Sequence, residues 1–185
     1  VLFWIGAGSL ASGLVYGLPT QPPIVQFSPD TDTYPQNFAI ETDLKSRVYL
    51  GSVDGLLVFD GKLWHTIAMP NQDMVRWLRF DGVDRVYVGG YDNFGYVEVD
   101  PAGQYQYREL SHHFTSALGT DLFADVWDIL VAPDAVFFVA LNHVFRYEIQ
   151  TGHTDLWRHQ GKFGPIALFA GKVYLQFRDD AVRVL

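Results

Sequence analysis

The segment VYLGSVDGLLVFDGKLW (residues 48–64) places three short apolar runs and two Asp-Gly pairs in one stretch of chain. Glycine adopts the positive φ that tight hairpin turns need, so Asp54-Gly55 and Asp60-Gly61 each mark a turn between two strands. Runs of roughly four to seven β-branched and aromatic residues between such turns are typical of β-strands. The segment therefore predicts consecutive antiparallel hairpins.

The same arrangement recurs along the chain, with a further Asp-Gly turn at Asp81-Gly82. Each unit contains an apolar strand, a turn, a strand rich in β-branched and aromatic residues, a second turn and another aromatic strand. We assign Tyr49, Tyr87, Phe138 and Tyr174 to one equivalent position, and residues 111–123 to an inserted loop with about one helical turn. The units are residues 37–67, 74–110, 124–159 and, incomplete, 163–185.

Four short strands in a unit of about 40 residues are typical of a β-propeller blade. An immunoglobulin-like sandwich also has short strands, but its sequence need not repeat internally. The repeat therefore predicts an all-β fold in which residues 34–185 form about four blades of a larger β-propeller ring.

The N-terminal residues differ in kind from the repeats. Residues 1–18 are apolar and uncharged, which is typical of a signal-peptide h-region or an uncleaved membrane anchor, with a buried core helix as the third interpretation. Residues 19–33 are rich in proline and predict an extended linker. This pattern favours export, and hence a periplasmic location.

Composition and motifs exclude several classes of function. With 13 Lys and Arg against 21 Asp and Glu, the net charge is −8 and no basic run is present, so nucleic acid is a poor partner for this region. The chain has no cysteine and therefore no disulfide or thiolate ligand. His112-His113 lacks a third ligand at metal spacing and predicts a solvated loop pair. No catalytic or cofactor motif is found, so neither an enzyme nor a bound cofactor is predicted.

Two units resemble a known family. NFAIETDLKSRVYLGSVDGLLVFDGKLW (residues 37–64) and RVYVGGYDNFGYVEVDPAGQYQY (residues 85–107) are similar to the two-component-regulator propeller repeats of bacterial ligand-binding sensor domains. FADVWDI followed by VFFVALNHVFRYE resembles the next blade. The third and fourth units depart from the pattern, because APDA replaces the acidic-Gly turn and QFRDDAVRVL lacks the Gly-Leu step.

The resemblance implies an extracytoplasmic sensor. Members of this family usually carry seven-bladed propellers followed by a membrane helix, and they are expected to signal as homodimers. Their cytoplasmic output is a histidine kinase, a diguanylate cyclase or a DNA-binding regulator. On this basis the region is expected to sense a ligand, not to be catalytic itself, and to be linked to a membrane through an N-terminal or a downstream helix.

The ligand site is predicted on one face of the propeller, where loops on a rigid scaffold converge. Aromatic side chains beside Asn, Asp and Arg suit a sugar, an oligosaccharide or another polyol. Trp77 and Trp127 could instead be wedges between blades, and residues 89–96 a structural turn. The candidate ligand-binding residues are Arg76, Trp77, Tyr91, Asp92, Asn93, Phe94, Asp125, Trp127, Asn142 and Arg178, on a face that also includes Tyr34, Gln36, Asn37, His143 and Asp179.

Two other classes of function stay open from the sequence. An exported propeller enzyme, quinoprotein-like or lyase-like, would need catalytic residues or a cofactor site beyond these units. A protein-interaction scaffold would use the same face without a pocket, and exposed apolar patches there would favour it.

Overall fold

The structure is a computed structural model that describes residues 24–28, 36–70, 74–178 and 180–185. The predicted leader or anchor at residues 1–18 and most of the linker lie outside the described residues, as do Tyr34 and Asp179. The described residues form four consecutive antiparallel sheets in which each strand pairs with the next along the chain. This confirms the predicted all-β fold, a partial β-propeller.

Each sheet is one blade. Blade one contains β1 (Asn37–Thr42), β2 (Val48–Ser52), β3 (Gly55–Phe59) and β4 (Trp64–Ile67). Blade two contains β5 (Val75–Phe80), β6 (Val86–Gly90), β7 (Phe94–Val99) and β8 (Tyr105–Glu109). Blade three contains β9 (Val126–Val131), β10 (Ala135–Ala140), β11 (His143–Glu148) and β12 (Thr154–Arg158). Blade four contains β13 (Phe163–Phe169), β14 (Lys172–Phe177) and β15 (Val182–Val184).

The first strand of each blade is the innermost one. Strand β1 contacts β5, β5 contacts β9, and β9 contacts β13, so the blades follow one another around a common centre. Between blades two and three the chain forms a 3-10 turn (Ser111–Phe114) and the short helix α1 (Thr115–Leu118). We call residues 110–124 the inserted segment. Among the described helices, none combines the length and the apolar character that crossing a membrane requires.

The turns have the chemistry that the sequence predicts. Gly55, Gly61 and Gly82 have φ values of 112°, 95° and 83°. The acidic residue before the glycine closes the turn, because one oxygen of Asp60 accepts hydrogen bonds from the amides of residues 62 and 63 at 2.8 and 2.7 Å. Asp81 does the same for residues 83–85 at 2.8–3.1 Å. These carboxylates therefore cap turns, as short polar side chains commonly do.

One assignment of equivalent positions is wrong by a residue. Strands β2, β6, β10 and β14 end at Ser52, Gly90, Ala140 and Phe177, and each of these pairs with the first residue of the inner strand. The equivalent position lies three residues before each of these strand ends. It is Tyr49 in blade one, Tyr87 in blade two and Tyr174 in blade four, but in blade three it is Phe137, and not Phe138. Phe137 packs toward blade four, whereas Phe138 packs toward blade two. Two adjacent phenylalanines hide the period-two alternation that separates these faces.

Three apolar clusters join the four blades. Val58 and Val75 belong to the cluster between blades one and two, Tyr87 and Val126 to the cluster between two and three, and Val139 and Phe163 to the cluster between three and four. Blades two and three therefore bury both sides of their central strands against a neighbouring blade, and blades one and four bury one side each in this way. Burial of this kind supplies most of the stabilisation of a repeat array, because each repeat contacts only its neighbours.

Candidate functional site

The residues of the predicted ligand-binding face lie at one end of the blades. The inner strands begin at this end, and the turns β2–β3, β6–β7, β10–β11 and β14–β15 lie there too, because neighbouring strands are antiparallel. The inserted segment lies at the same end, since it connects β8 to the start of β9. We call this end the upper face.

A β-bulge lies at the start of each of the four inner strands, and in the first three it brings a side chain to the inner edge of the upper face. The register shifts between Asn37 and Ala39, between Val75 and Trp77, and opposite residues 139 and 140 in blade three. The residues at these bulges are Phe38, Arg76 and Trp127. Bulges commonly redirect a side chain next to a functional site.

These side chains contact one another from blade to blade. The Arg76 guanidinium lies 4.1 Å from the centroid of the Phe38 ring, and Arg76 Nε donates a hydrogen bond to Asp125 Oδ1 at 2.9 Å. The Arg178 guanidinium lies 5.4 Å from the centroid of the Trp127 ring. We call Phe38, Arg76, Asp125, Trp127 and Arg178 the rim. It connects all four blades through ion-pair and cation–π contacts.

The two tryptophans of the predicted site are largely structural. Trp77 packs against the cluster between blades two and three, and Trp127 packs against the cluster between blades three and four. The indole Nε1 atoms of both are buried and have no hydrogen-bond partner among the described residues. The wedge interpretation therefore describes both side chains, and only Trp127 also contributes to the rim.

Asp92 holds the inserted segment against blade two. Its Oδ1 accepts hydrogen bonds from the amides of Phe123 and Ala124 at 2.6 and 2.7 Å, and its own amide donates to the Ala124 carbonyl at 3.0 Å. Tyr91 forms an isolated β-bridge with Asp125 just beside this contact, and its side chain is 44% exposed. Asp92 is thus an anchor for the loop, while Tyr91 stays accessible on the face.

We expect Asp92→Ala to lower the free energy of unfolding by about 1–3 kcal/mol, because two partly buried amides lose their acceptor. Hydrogen exchange at the amides of Phe123 and Ala124 should accelerate more than exchange in the strands. Asp92→Asn is the matched control, since it keeps an acceptor oxygen and tolerates the φ of 49° found at this position. Equal losses for the two variants would contradict the anchoring role.

Asn93 and Phe94 are not part of the accessible face. Asn93 is buried, its Oδ1 accepts a hydrogen bond from the Tyr107 hydroxyl, and its Nδ2 lies 3.5 Å from Ser111 Oγ. Phe94 is 0% exposed and contacts the rings of Phe114, Phe123, Phe138 and Phe145. The sequence places both residues on the ligand surface because they lie at the turn between the second and third strands. That prediction is wrong, because the inserted segment covers both side chains.

Asn142 lies on a cleft that the sequence did not indicate. The cleft has a volume of about 400 Å³ and separates the inserted segment from the outer half of blade three. Its walls include Asp121 and Leu122 from the segment, and Asn142, His143, Arg158 and His159 from the blade. Arg158 joins the two walls, because its Nε pairs with Asp121 Oδ2 at 3.3 Å and its Nη2 donates to the Ala117 carbonyl.

The histidines of the inserted segment are exposed, and their rings contact each other at a centroid distance of 4.0 Å with their planes tilted by 36°. The His113 ring also contacts Tyr147 at 5.4 Å, and its pKa is lowered by partial burial and by the neighbouring His112. Within the described residues, no group of three or more His, Asp or Glu side chains has the geometry to hold a metal ion.

A second cavity lies on the inner strands, toward the opposite end of the blades. It has a volume of about 540 Å³, and its walls include Glu41, Arg79 and Asp128. Each of these side chains hydrogen-bonds to the backbone of the next blade: Glu41 to the Phe80 amide, Arg79 to the Ile129 carbonyl and Asp128 to the Ile166 amide. Burial raises the pKa of Asp128, against the opposing effects of the backbone hydrogen bonds and of Arg79.

We expect Asp128→Asn to raise the free energy of unfolding at neutral pH. An acid with a raised folded-state pKa contributes most stability below its unfolded value, 3.8 for Asp, and loses that contribution as the pH rises through the folded value. The amide is uncharged and keeps an acceptor for Ile166. Urea unfolding from pH 3 to pH 8 should show a gain that disappears at the acid end. A constant difference, or a gain equal to that of the exposed-turn control Asp84→Asn, would contradict this account.

The chain is similar in fold to several solved propellers. Two crystal structures of the extracellular domain of BT4673 from B. thetaiotaomicron, which is described as a one-component system in one and as a hybrid two-component system in the other, match with TM-scores of 0.56 and 0.57 at 16% identity. This match covers 77% of the chain and 19% of BT4673. Virginiamycin B lyase from Staphylococcus aureus matches with a TM-score of 0.57 at 12% identity over 80% of the chain and 55% of the lyase.

The computationally designed protein Ika4 matches with a TM-score of 0.59 at 18% identity, over 88% of the chain and 98% of Ika4. The sequence matches no protein-family profile and no curated protein. The chain spans about a fifth of the BT4673 domain. At these identities the structural matches show the fold alone, and that fold is a partial β-propeller.

Proposed function

We propose that this chain is the extracytoplasmic ligand-sensing propeller of a membrane signalling receptor, and that it binds its ligand on the upper face without converting it. The observation that carries the proposal is the rim. Arg76, Asp125 and Arg178 come from three blades and are partly or fully exposed around the same inner edge. Loops that converge on a rigid scaffold in this way are the usual place for ligand recognition.

The side chains of the upper face favour a sugar or another polyol as ligand. Tyr91 presents an accessible aromatic ring, and Asn142 presents an exposed amide. In the Arg76–Asp125 pair, the guanidinium supplies charged hydrogen-bond donors and the carboxylate supplies a charged acceptor. Hydroxyl groups both donate and accept hydrogen bonds, and sugar rings pack on aromatic faces. A ligand of this class would use all three kinds of contact.

The receptor context rests on the structural relatives and on the repeat pattern. The extracellular domain of BT4673 belongs to a one-component or hybrid two-component system, and it contains a region with this fold. By analogy we propose a periplasmic location, further blades that complete a larger ring, a membrane helix, and a homodimeric receptor with a kinase, cyclase or DNA-binding output. Such an analogy concerns the fold and not the site.

A ligand screen by thermal unfolding tests this proposal. Among soluble oligosaccharides and polyols, we expect at least one to raise the Tm of the chain and to be recovered unchanged. Arg76→Ala should weaken its binding roughly tenfold or more, as expected for loss of a charged hydrogen bond. Arg108→Ala is the matched control, because Arg108 is also an exposed arginine in an ion pair, with Glu98 at 3.1 Å, but belongs to the outer strand of blade two. Equal affinities of the two variants would contradict a ligand site at the rim.

A propeller enzyme is the second candidate, and the match to virginiamycin B lyase is the observation that favours it. The same screen separates the two functions when the recovered ligand is analysed by mass spectrometry. A mass change that depends on the chain, and that is lost on Arg76→Ala, would make the upper face an active site. Recovery of the intact ligand supports the sensor.

A further inference from the structure

The end of the blades opposite the upper face has exposed apolar side chains at the tips of its turns, and we call this end the lower face. Four such side chains are more than half exposed, each in a different turn: Leu44 (β1–β2), Leu63 (β3–β4), Val83 (β5–β6) and Phe169 (β13–β14). Leu44 and Val83 line the same groove, which has a volume of about 240 Å³. Leu63 lines a second groove, of about 390 Å³, together with Phe27 of the linker. Exposed apolar surface that is grouped in this way indicates contact with another protein or with a membrane.

Three of the four lysines of the chain lie at the same tips. Lys45 follows Leu44 and Lys62 precedes Leu63 in the sequence, while Lys172 is the first residue of β14. All three are exposed, and none forms an ion pair with a side chain of the described ranges. An apolar side chain beside an ammonium group suits the headgroup region of a lipid layer, because the apolar part contacts the acyl boundary while the ammonium group reaches the phosphates.

The carboxylates beside the first two of these lysines are engaged within their own turns. Asp43 accepts hydrogen bonds from the amides of residues 45 and 47 at 2.9 and 3.0 Å, and it pairs with the Arg47 guanidinium. Asp60 caps the β3–β4 turn, and its second oxygen lies 2.8 Å from His65 Nε2. The two lysines are therefore the charged groups that these turns leave for an outside partner, and they favour one that presents anionic oxygens.

The exposed apolar side chains of the upper face have a different setting. Tyr91, Leu122 and Leu141 each have an acidic residue or an asparagine as a sequence neighbour, and none has a lysine or an arginine there. On the lower face the β5–β6 turn is the exception, because Val83 lies beside Asp84 and not beside a lysine. Lipid phosphates repel carboxylates and attract ammonium groups, so a lipid surface fits the lower tips better than the upper ones.

The linker reaches the propeller at the lower face. The ring of Phe27 lies 4.9 Å from the ring of Phe59, which ends β3, and residues 26–28 line one groove with the β3–β4 turn. Only five residues separate Ile24 from Leu18, the end of the apolar N-terminal stretch, and even a fully extended chain spans about 20 Å over this distance. The interpretation of that stretch as a membrane anchor therefore brings the lower face, and not the upper face, close to the lipid.

We propose that the lower face docks on the surface of a phospholipid membrane, with its apolar tips among the headgroups and its lysines on lipid phosphates. The inference goes beyond the proposed function, because it concerns the end of the blades opposite the proposed ligand site. The tips come from blades one, two and four, so they define a plane and hold the propeller in one orientation. Docking in this orientation directs the upper face away from the bilayer, where a soluble ligand reaches it.

Fluorine NMR of the full chain on a lipid nanodisc tests the proposal. The chain is labelled with fluorotryptophan, and the nanodisc contains phosphatidylethanolamine and phosphatidylglycerol with a paramagnetic gadolinium chelate on some headgroups. Trp64 begins β4 at the lower face, whereas Trp77, Trp127 and Trp157 lie toward the upper face. We expect the Trp64 resonance to broaden severalfold more than the other three. Equal broadening of the four, stronger broadening toward the upper face, or no broadening would overturn the proposal. A change at Trp64 that needs no lipid and grows with protein concentration would assign the tips to a second copy of the chain, and would overturn it too.

Two matched pairs of variants locate the contact. Leu44→Asp should lower the ratio of docked to undocked propeller roughly tenfold or more, the effect of one leucine side chain that is no longer buried. Leu122→Asp is its control and should leave the ratio unchanged, because Leu122 is 72% exposed on the upper face and Leu44 is 76% exposed. Lys45→Gln should lower the ratio roughly fivefold, whereas Lys162→Gln, at the upper end of blade four, should not change it. Equal effects within either pair would overturn the proposal.

The outcome is distinguishable from failure of the proposed function. A ligand that raises the Tm through Arg76, in a chain whose tryptophans broaden equally on the nanodisc, would overturn the lipid contact and leave the sensor. Preferential broadening of Trp64 in a chain that no oligosaccharide or polyol in the screen stabilises would support the lipid contact and contradict the sensor.

Discussion

Phe94→Ala is expected to lower the free energy of unfolding by about 3–5 kcal/mol, the usual cost of deleting a buried aromatic ring. Phe94 is 0% exposed, and its ring centroid lies 4.2 Å from that of Phe138 and 4.8 Å from that of Phe145. It also contacts Phe114 and Phe123 of the inserted segment at 5.6 Å. The loss therefore reaches blade two, blade three and the segment that covers them. Urea unfolding measures it.

Two further variants control for the size of this effect. Phe169→Ala removes a ring of the same size that is 72% exposed, and it should change the free energy of unfolding by less than about 0.5 kcal/mol. Phe94→Leu should fall between the two, because it leaves a smaller cavity. If Phe94→Ala retained the parent stability and lost only ligand affinity, Phe94 would belong to the ligand surface after all.

Gly89→Ala is expected to cost roughly 1–3 kcal/mol through overpacking between blades two and three. A Cβ at residue 89 would lie 2.6 Å from Val126 Cγ1 and 2.9 Å from Val126 Cβ. The same contact recurs one blade earlier, where a Cβ at Gly51 would lie 2.6 Å from Val75 Cγ1. Glycine at this strand position thus allows the next inner strand to approach closely.

A double-mutant cycle tests whether the contact with Val126 is the cause. Val126→Ala removes Cγ1, the nearer of the two Val126 atoms that the new Cβ meets, so the double variant should be more stable than the sum of the two single losses predicts. We expect a coupling energy of about 0.5–3 kcal/mol, the range for residues in contact. Additive losses would show that Gly89 is required for another reason, such as backbone conformation.

Much of the fold follows from local patterns in the sequence. Asp54-Gly55, Asp60-Gly61 and Asp81-Gly82 indicate turns because the conformation of a tight turn depends mainly on the residues within it. All three glycines have the positive φ that such turns require. The recurrence of the turns and strands predicts blades, since a single blade cannot bury its own faces. The pattern is weaker where residues of like character are adjacent, which is why Phe138 was assigned to the position of Phe137.

The site could be predicted only in part. Antiparallel pairing fixes which loops lie together at the upper face, and Arg76, Tyr91, Asp125, Asn142 and Arg178 are accessible there. The roles of Asp92 and Phe94 depend on residues about 30 positions away, because the inserted segment folds back over the turn that holds them. Neither spacing nor composition contains that information. The apolar Phe114 and Phe123 were the available signal that the segment packs against the core.

The cleft was missed for the same reason. Asp121 and Arg158 are distant in sequence and belong to different elements, so their pairing appears only when the segment and blade three are folded. His143 was predicted at this end of the blades, but a strand-end histidine gives no sign that its Nε2 is buried without a hydrogen-bond partner among the described residues.

The reading frame of the full-length transcript tests most directly the proposal that this propeller is the sensing part of a membrane receptor. We expect the frame to continue through further propeller repeats into an apolar membrane-spanning segment and then a kinase, cyclase or DNA-binding domain. A frame that closes a propeller ring without any membrane-spanning segment or output domain would contradict the sensor and favour an exported binder or enzyme.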